Sequence, residues 1–136
     1  MDRKNIAVIL GRFHREESEQ MLDEAKKTAQ EFGLEVILVS EVHGSLEKPL
    51  ALKRALLRDD ISGAVALGII EKGETKHGLV MGATVMTAII NLQLETMKPI
   101  GVGILGPEIQ PSQITSRVRP YAREAVVALA MMLEAK

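Results

Sequence analysis

Cysteine and tryptophan are absent from this chain, tyrosine occurs once and phenylalanine twice. Without cysteine there is no disulfide, no thiolate nucleophile and no thiolate metal site, which fits a reducing compartment. Charge of one sign is also missing: 17 Lys plus Arg stand against 18 Asp plus Glu, a formal net charge of -1. That balance removes the electrostatic reason to expect nucleic acid or an anionic membrane as partner. The N-terminus, MDRKNIAVIL, carries charge and then only a strand-length apolar run, too short for a signal h-region or a membrane span. A cytoplasmic protein is the expectation. What is present, 46% hydrophobic and 26% charged residues over 136 positions, is the make-up of one globular domain spanning residues 1–136, able to bury a core without metal or disulfide staples.

Four short β-branched runs, Asn5–Leu10, Leu34–Ser40, Gly63–Ile70 and Ile100–Leu105, read as strands. Between them the period is helical. Met21, Ala25, Ala29 and Phe32 form one stripe over residues 16–32, which Gly33 terminates. Pro49 suits a first helical turn followed by Leu52, Leu56 and Leu57. Residues 79–95, LVMGATVMTAIINLQLE, are apolar nearly all round as far as Asn91. Gly106-Pro107 is expected to turn the chain toward a short helix at 112–117, and Pro120 opens a last helix with AVVALAMML at its core. Strand alternating with helix implies an α/β fold: a parallel four-stranded sheet in a three-layer α/β/α sandwich, with ligand-binding loops beyond the carboxyl ends of the strands. One sheet face cannot cover a helix that is apolar on every side, so the third helix is either a long central helix in a thick core or, as expected for so small a domain, a subunit interface.

The loops on that edge carry the chemistry-bearing residues. Phe13 follows the first strand, where it can stack on a flat ligand or pack the loop onto the first helix. After the second strand, Ser45 lies in turn chemistry, and Glu47 can accept from ligand hydroxyls or serve as a helix-dipole partner. After the third, the amides of Gly73, Glu74 and Thr75 precede a helix and offer a phosphate seat, although Thr75 could equally be an N-cap. His77 is the best acid–base candidate. Arg117, Arg119 and Arg123 supply guanidinium groups suited to phosphate or to a solvated face. Other motifs are set aside. GVGILG at 101–106 matches G-x-G-x-x-G but lies inside the fourth strand, no G-x-x-x-x-G-K-[ST] occurs, and Ser45 has no nucleophile elbow around it. His14, His43 and His77 follow three different strands without a close-spaced ligand pair, so no metal is expected.

A Phe after strand one, Gly-Ser-x-Glu-x-Pro after strand two and GIIEKGETKHG at 68–78 together resemble lumazine synthase, over nearly the whole chain. The last segment is similar to that family's G-x-V-I-x-G-x-T-x-H signature. The resemblance implies a flavodoxin-like fold and a transferase of riboflavin biosynthesis. Such an enzyme condenses 5-amino-6-ribitylaminouracil with 3,4-dihydroxy-2-butanone 4-phosphate to form 6,7-dimethyl-8-ribityllumazine, without cofactor. By position it implies that Phe13 stacks on the pyrimidine and that Ser45, Leu46 and Glu47 line the ribityl chain. Ile69, Ile70 and Val102 would add substrate contacts, Gly73, Glu74, Thr75 and Arg117 would hold phosphate, and His77 would move protons. Arg123 would stand in for a lysine of bacterial members, whose Gly-Asn-Lys-Gly stretch is absent; RVRPYAREAV looks closer to archaeal ones. It also implies a homo-oligomer, a pentamer or an icosahedral shell of pentamers, with active sites at subunit interfaces and riboflavin synthase as a further partner.

Two segments depart from the pattern. Where the family has Pro-Gly-[Ala/Ser]-[Phe/Tyr]-Glu-[Leu/Ile]-Pro, this chain has His43-Gly44-Ser45-Leu46-Glu47-Lys48-Pro49, and Val102 stands where many members carry an aromatic. The pocket is therefore more aliphatic than usual. An archaeal-type riboflavin synthase, a non-catalytic flavin-binding or shell-forming relative, and a nucleotide-binding regulatory module remain as alternative readings.

Overall fold

A computed structural model describes residues 4–135. Its elements run β1 (Lys4–Gly11), α1 (Arg15–Glu31), β2 (Leu34–Val42), α2 (Lys48–Leu56), β3 (Gly63–Glu71), α3 (His77–Thr96), β4 (Ile100–Ile109) and α4 (Val118–Glu134), with 3₁₀ turns at Ser45–Glu47 and Pro111–Gln113. All pairings are parallel, in the order β2-β1-β3-β4. The flavodoxin-like α/β/α sandwich expected from the strand–helix alternation is the fold observed.

Strand periodicity decides the layers. On β1 and β3, Ile6, Val8, Leu10, Val65 and Leu67 pack against α1 and α4, while Ala7, Ile9, Ala64, Ala66 and Ile70 pack against α2 and α3. The central strands are buried on both faces, hence their unbroken apolar runs. Gly101 and Gly103 lie on β4 where α4 presses closest, and a Cβ on Gly101 would overlap the Ala125 carbonyl oxygen. The glycines of GVGILG thus serve helix–sheet contact rather than a dinucleotide.

Two expectations change at the end of β4. Gly106-Pro107 does not end the strand: pairing resumes at Glu71↔Ile109 after a register shift. Gly106 adopts φ 90, open to glycine but rarely to other residues. A 3₁₀ turn at Pro111–Gln113 replaces the short helix expected at 112–117, Pro111 lying at its first or second position.

The third helix keeps its surplus of apolar surface. Only Gly82, Val85, Ile89 and Leu92 are buried, whereas Leu79, Val80, Ile90 and Leu94 are 40–69% exposed. With 20 residues α3 is long and apolar enough to cross a membrane by length and composition alone, yet its buried stripe packs on the sheet.

Candidate active site

β1 leads into α1 on one face of the sheet and β3 leads into α3 on the other, so the two neighbouring strands send their loops apart. Their carboxyl ends form the topological switch point of an open α/β sheet, where such folds place a ligand crevice. His14 Nε2 lies 3.1 Å from Glu71 Oε2 there, tying the β1 loop to the end of β3.

Phe13 projects from the β1 loop with 59% of its surface exposed. Its ring meets that of His43 in a T-shaped arrangement, centroids 5.3 Å apart and planes at 74°. Ser18 Oγ donates to the Phe13 carbonyl at 3.1 Å, and His14 takes the left-handed conformation at φ 56, so the loop turns sharply before α1 begins. Phe13 therefore packs against the loop after β2 rather than stapling α1.

In that neighbouring loop the Gly44 amide donates to Glu47 Oε1 at 2.9 Å, and the Glu47 amide donates to the Gly44 carbonyl. The glutamate closes its own turn through one oxygen. Leu46 is exposed, whereas Ser45 is buried. A groove of about 460 Å³ between the outer edge of β2 and α2 is lined by Leu38, Val42, Leu46, Glu47, Leu50 and Arg54.

Beyond β3, residues 72–77 are all exposed. Among the described residues, the amides of Gly73, Glu74 and Thr75 make no hydrogen bond within the chain. They precede the positive end of a 20-residue helix, which suits an anion. Thr75 Oγ1 accepts from the His77 amide at 3.3 Å, and Lys76 occupies the N-cap position. His77 is the first residue of α3, at the rim of the sheet, not a turn inside the helix. Ile69 and Ile70 face opposite sides of β3, Ile69 toward the α1/α4 layer and Ile70 toward the α2/α3 layer. Their side chains cannot line one pocket together, although their backbone can edge it. Val102 is half-buried on β4, facing the α2/α3 layer.

The structure separates the arginines. Arg117, at the N-cap of α4, donates through Nη1 to the Gln113 carbonyl at 2.9 Å. Arg119 pairs with Asp23 at 2.9 Å and reaches Glu24, and Arg123 pairs with Glu31 at the far end of α1. The Arg119 guanidinium holds the Asp23 carboxyl below its usual range, with Lys27 adding to the effect. Two of the three thus bind α4 to α1.

One buried charged residue beside these loops did not emerge from the sequence reading. Lys48, the first residue of α2, is only 1% exposed and donates through Nζ to Ser45 Oγ at 3.1 Å. The ammonium occupies space left by glycines at the ends of two strands: a Cβ on Gly11 would be 3.6 Å from Nζ, and one on Gly68 would collide with it. Burial pushes its pKa from 10.5 down to about 8, against an upward pull from the Glu47 charge. The signal was available: Lys48 stands one helical repeat before Leu52 and two before Leu56, on the buried stripe of α2.

Comparison with known proteins shows a family match along the chain. The sequence model of the 6,7-dimethyl-8-ribityllumazine synthase family matches residues 3–136. The chain is 37% identical over 128 residues to the 6,7-dimethyl-8-ribityllumazine synthase of Staphylothermus marinus, covering 94% of this chain and 85% of that protein. The corresponding protein of Metallosphaera sedula is 37% identical over 93% of this chain and 84% of its own. That of Picrophilus torridus is 35% identical over 95% and 94%. With the signature at the end of β3, the parallel sheet and a match along the whole described chain, this protein belongs to the 6,7-dimethyl-8-ribityllumazine synthase family.

Proposed function

We propose that the protein condenses 5-amino-6-ribitylaminouracil with 3,4-dihydroxy-2-butanone 4-phosphate. The pyrimidine amine attacks the ketone and water leaves as the imine forms; phosphate is eliminated; the ribitylamino nitrogen then closes the second ring with loss of a second water. The products are 6,7-dimethyl-8-ribityllumazine, inorganic phosphate and two waters. The observation that carries the reading is the placing, on the loops that follow neighbouring strands β1 and β3, of an exposed Phe13 and of the open amides of Gly73–Thr75 ahead of the imidazole-bearing start of α3.

In this reading Phe13 stacks on the pyrimidine, and Ser45, Leu46 and Glu47 flank the ribityl chain. The amides of residues 73–75 and the Arg117 guanidinium receive the phosphate, the latter turning away from the Gln113 carbonyl. His77 moves protons in imine formation and elimination. Juxtaposition of two reactants supplies much of the acceleration, and general acid–base assistance contributes on the order of 10²–10⁴.

Copies of the chain complete the site. The exposed Leu79, Val80, Ile90 and Leu94 of α3 and the apolar groove beside edge strand β2 support a homo-oligomer, with active sites at subunit contacts and Val102 arriving from a neighbour; the compartment proposed is the cytoplasm. A pentamer, or a shell of pentamers, is the assembly proposed; light scattering that returns only monomer would overturn it. The reaction itself is tested by mixing purified protein with both substrates and following lumazine absorbance against the uncatalysed background. Formation no faster than background would refute the reading.

A further inference from the structure

Lys48 is the one buried ammonium among the described residues, and its one hydrogen-bond partner is a neutral hydroxyl. A buried cation with a single neutral partner is less favourable than an apolar side chain of the same shape. An ammonium offers three N–H donors and no acceptor, so the 3.1 Å contact with Ser45 Oγ has one polarity while the lysine is protonated: Nζ donates and the serine oxygen accepts. The serine hydrogen is then directed away from Nζ. Two residues further on, the Glu47 carboxylate can only accept, and the Gly44 amide engages just one of its oxygens. Donor and acceptor therefore stand side by side on one short turn, Ser45–Glu47. A polyol, whose every hydroxyl both gives and takes a hydrogen bond, matches that pair.

We propose that Lys48 is a positioning residue that sets the Ser45 hydroxyl as a hydrogen-bond donor to the ribityl chain of the ligand. The inference deepens the proposed function and rests on it for the identity of the ligand. Protonation near neutral pH is consistent with a group whose pKa burial lowers only to about 8. Glu47 is the charge that acts on it, while β1 and β3 face it with Gly11 and Gly68. A lysine in place of the leucine or isoleucine of the family pattern makes this an arrangement of this chain.

The experiment is calorimetric binding of 6,7-dimethyl-8-ribityllumazine and of 6,7,8-trimethyllumazine, which lacks the polyol, to the assembled protein and to Lys48→Met, Ser45→Ala and the double variant. The unaltered protein should prefer the ribityl compound. Each single variant should weaken ribityl binding about tenfold and leave the trimethyl compound within about twofold, and the double variant should be no worse than either single, because both remove one coupled device. Parallel losses for both ligands, additive losses, or an unaltered protein without ribityl preference would each overturn the proposal. Steady-state kinetics separate it from the functional reading. Turnover with an unchanged KM for the ribitylaminopyrimidine in Lys48→Met refutes the role of Lys48 and leaves the reaction standing. Ribityl preference lost in both variants, in a protein without turnover, refutes the reaction and leaves the role of Lys48 standing.

Discussion

Replacing Lys48 by methionine should make the protein more stable near neutral pH, against the usual effect of altering a fully buried residue. The shift from 10.5 to about 8 spans about 2.5 pH units, roughly 3 kcal/mol of disfavoured charge in the folded state. The thioether fills similar space beside Gly11 and Gly68, and losing the hydrogen bond to Ser45 returns about 1 kcal/mol. A net gain of about 2 kcal/mol remains. With an unfolding entropy of roughly 0.3 kcal/mol/K for a chain of this length, Tm should rise by about 7 °C. The sign with pH follows from proton counting. Between about 8 and 10.5 the unfolded lysine holds a proton that the folded one has released, so the unaltered protein gains stability as pH rises through that window. The variant's advantage is therefore complete below pH about 8, and toward 10.5 it is lost and reversed by about 1 kcal/mol. Because the chain has no tryptophan, far-UV circular dichroism in urea is the suitable probe, with protomer concentration held constant so that assembly does not contribute. A variant less stable than the parent near neutral pH, or an advantage that does not change with pH, would refute the reasoning.

The other expectations concern the crevice and the sheet. His77→Ala should lower kcat by roughly 10²-fold or more with Tm nearly unchanged, since the side chain is exposed at the start of α3; a collapsed fold would remove it from acid–base work. Arg117→Ala should raise KM for the phosphorylated ketone about tenfold, leaving KM for the pyrimidine in place, and an unaltered value would take this residue out of the phosphate site. Gly101→Ala should cost about 1–3 kcal/mol in urea unfolding, because its Cβ would drive α4 off β4 at the Ala125 carbonyl; a neutral result would contradict the packing reason for this glycine.

Much of the molecule was legible because period and punctuation are local properties. The alternating faces of Ile6–Leu10, the stripe of Met21, Ala25 and Ala29, and the stop at Gly33 each follow from a few neighbouring residues, whereas Phe32, expected on that stripe, caps the helix and is exposed. Strand–helix alternation with right-handed crossovers then allows few folds, and GIIEKGETKHG carries the family. The apolar circumference of α3 likewise announced a surface that one sheet could not cover. Reading failed where the outcome depended on residues distant in the chain. A loop after Gly106-Pro107 is the local expectation, yet the strand resumes because Glu71 pairs with Ile109. Three arginines near one strand end looked equivalent, until α1 presented carboxylates to two of them. Lys48 shares the helical stripe of Leu52 and Leu56, which marks its face as buried, but the room for its ammonium comes from the approach of Gly11 on β1 and Gly68 on β3. The sequence by itself determined the elements, their buried faces and the family, because each is set by short-range periodicity or by a contiguous motif. The tertiary structure decided which charges meet and which are desolvated, because those energies depend on distances between segments far apart in the chain.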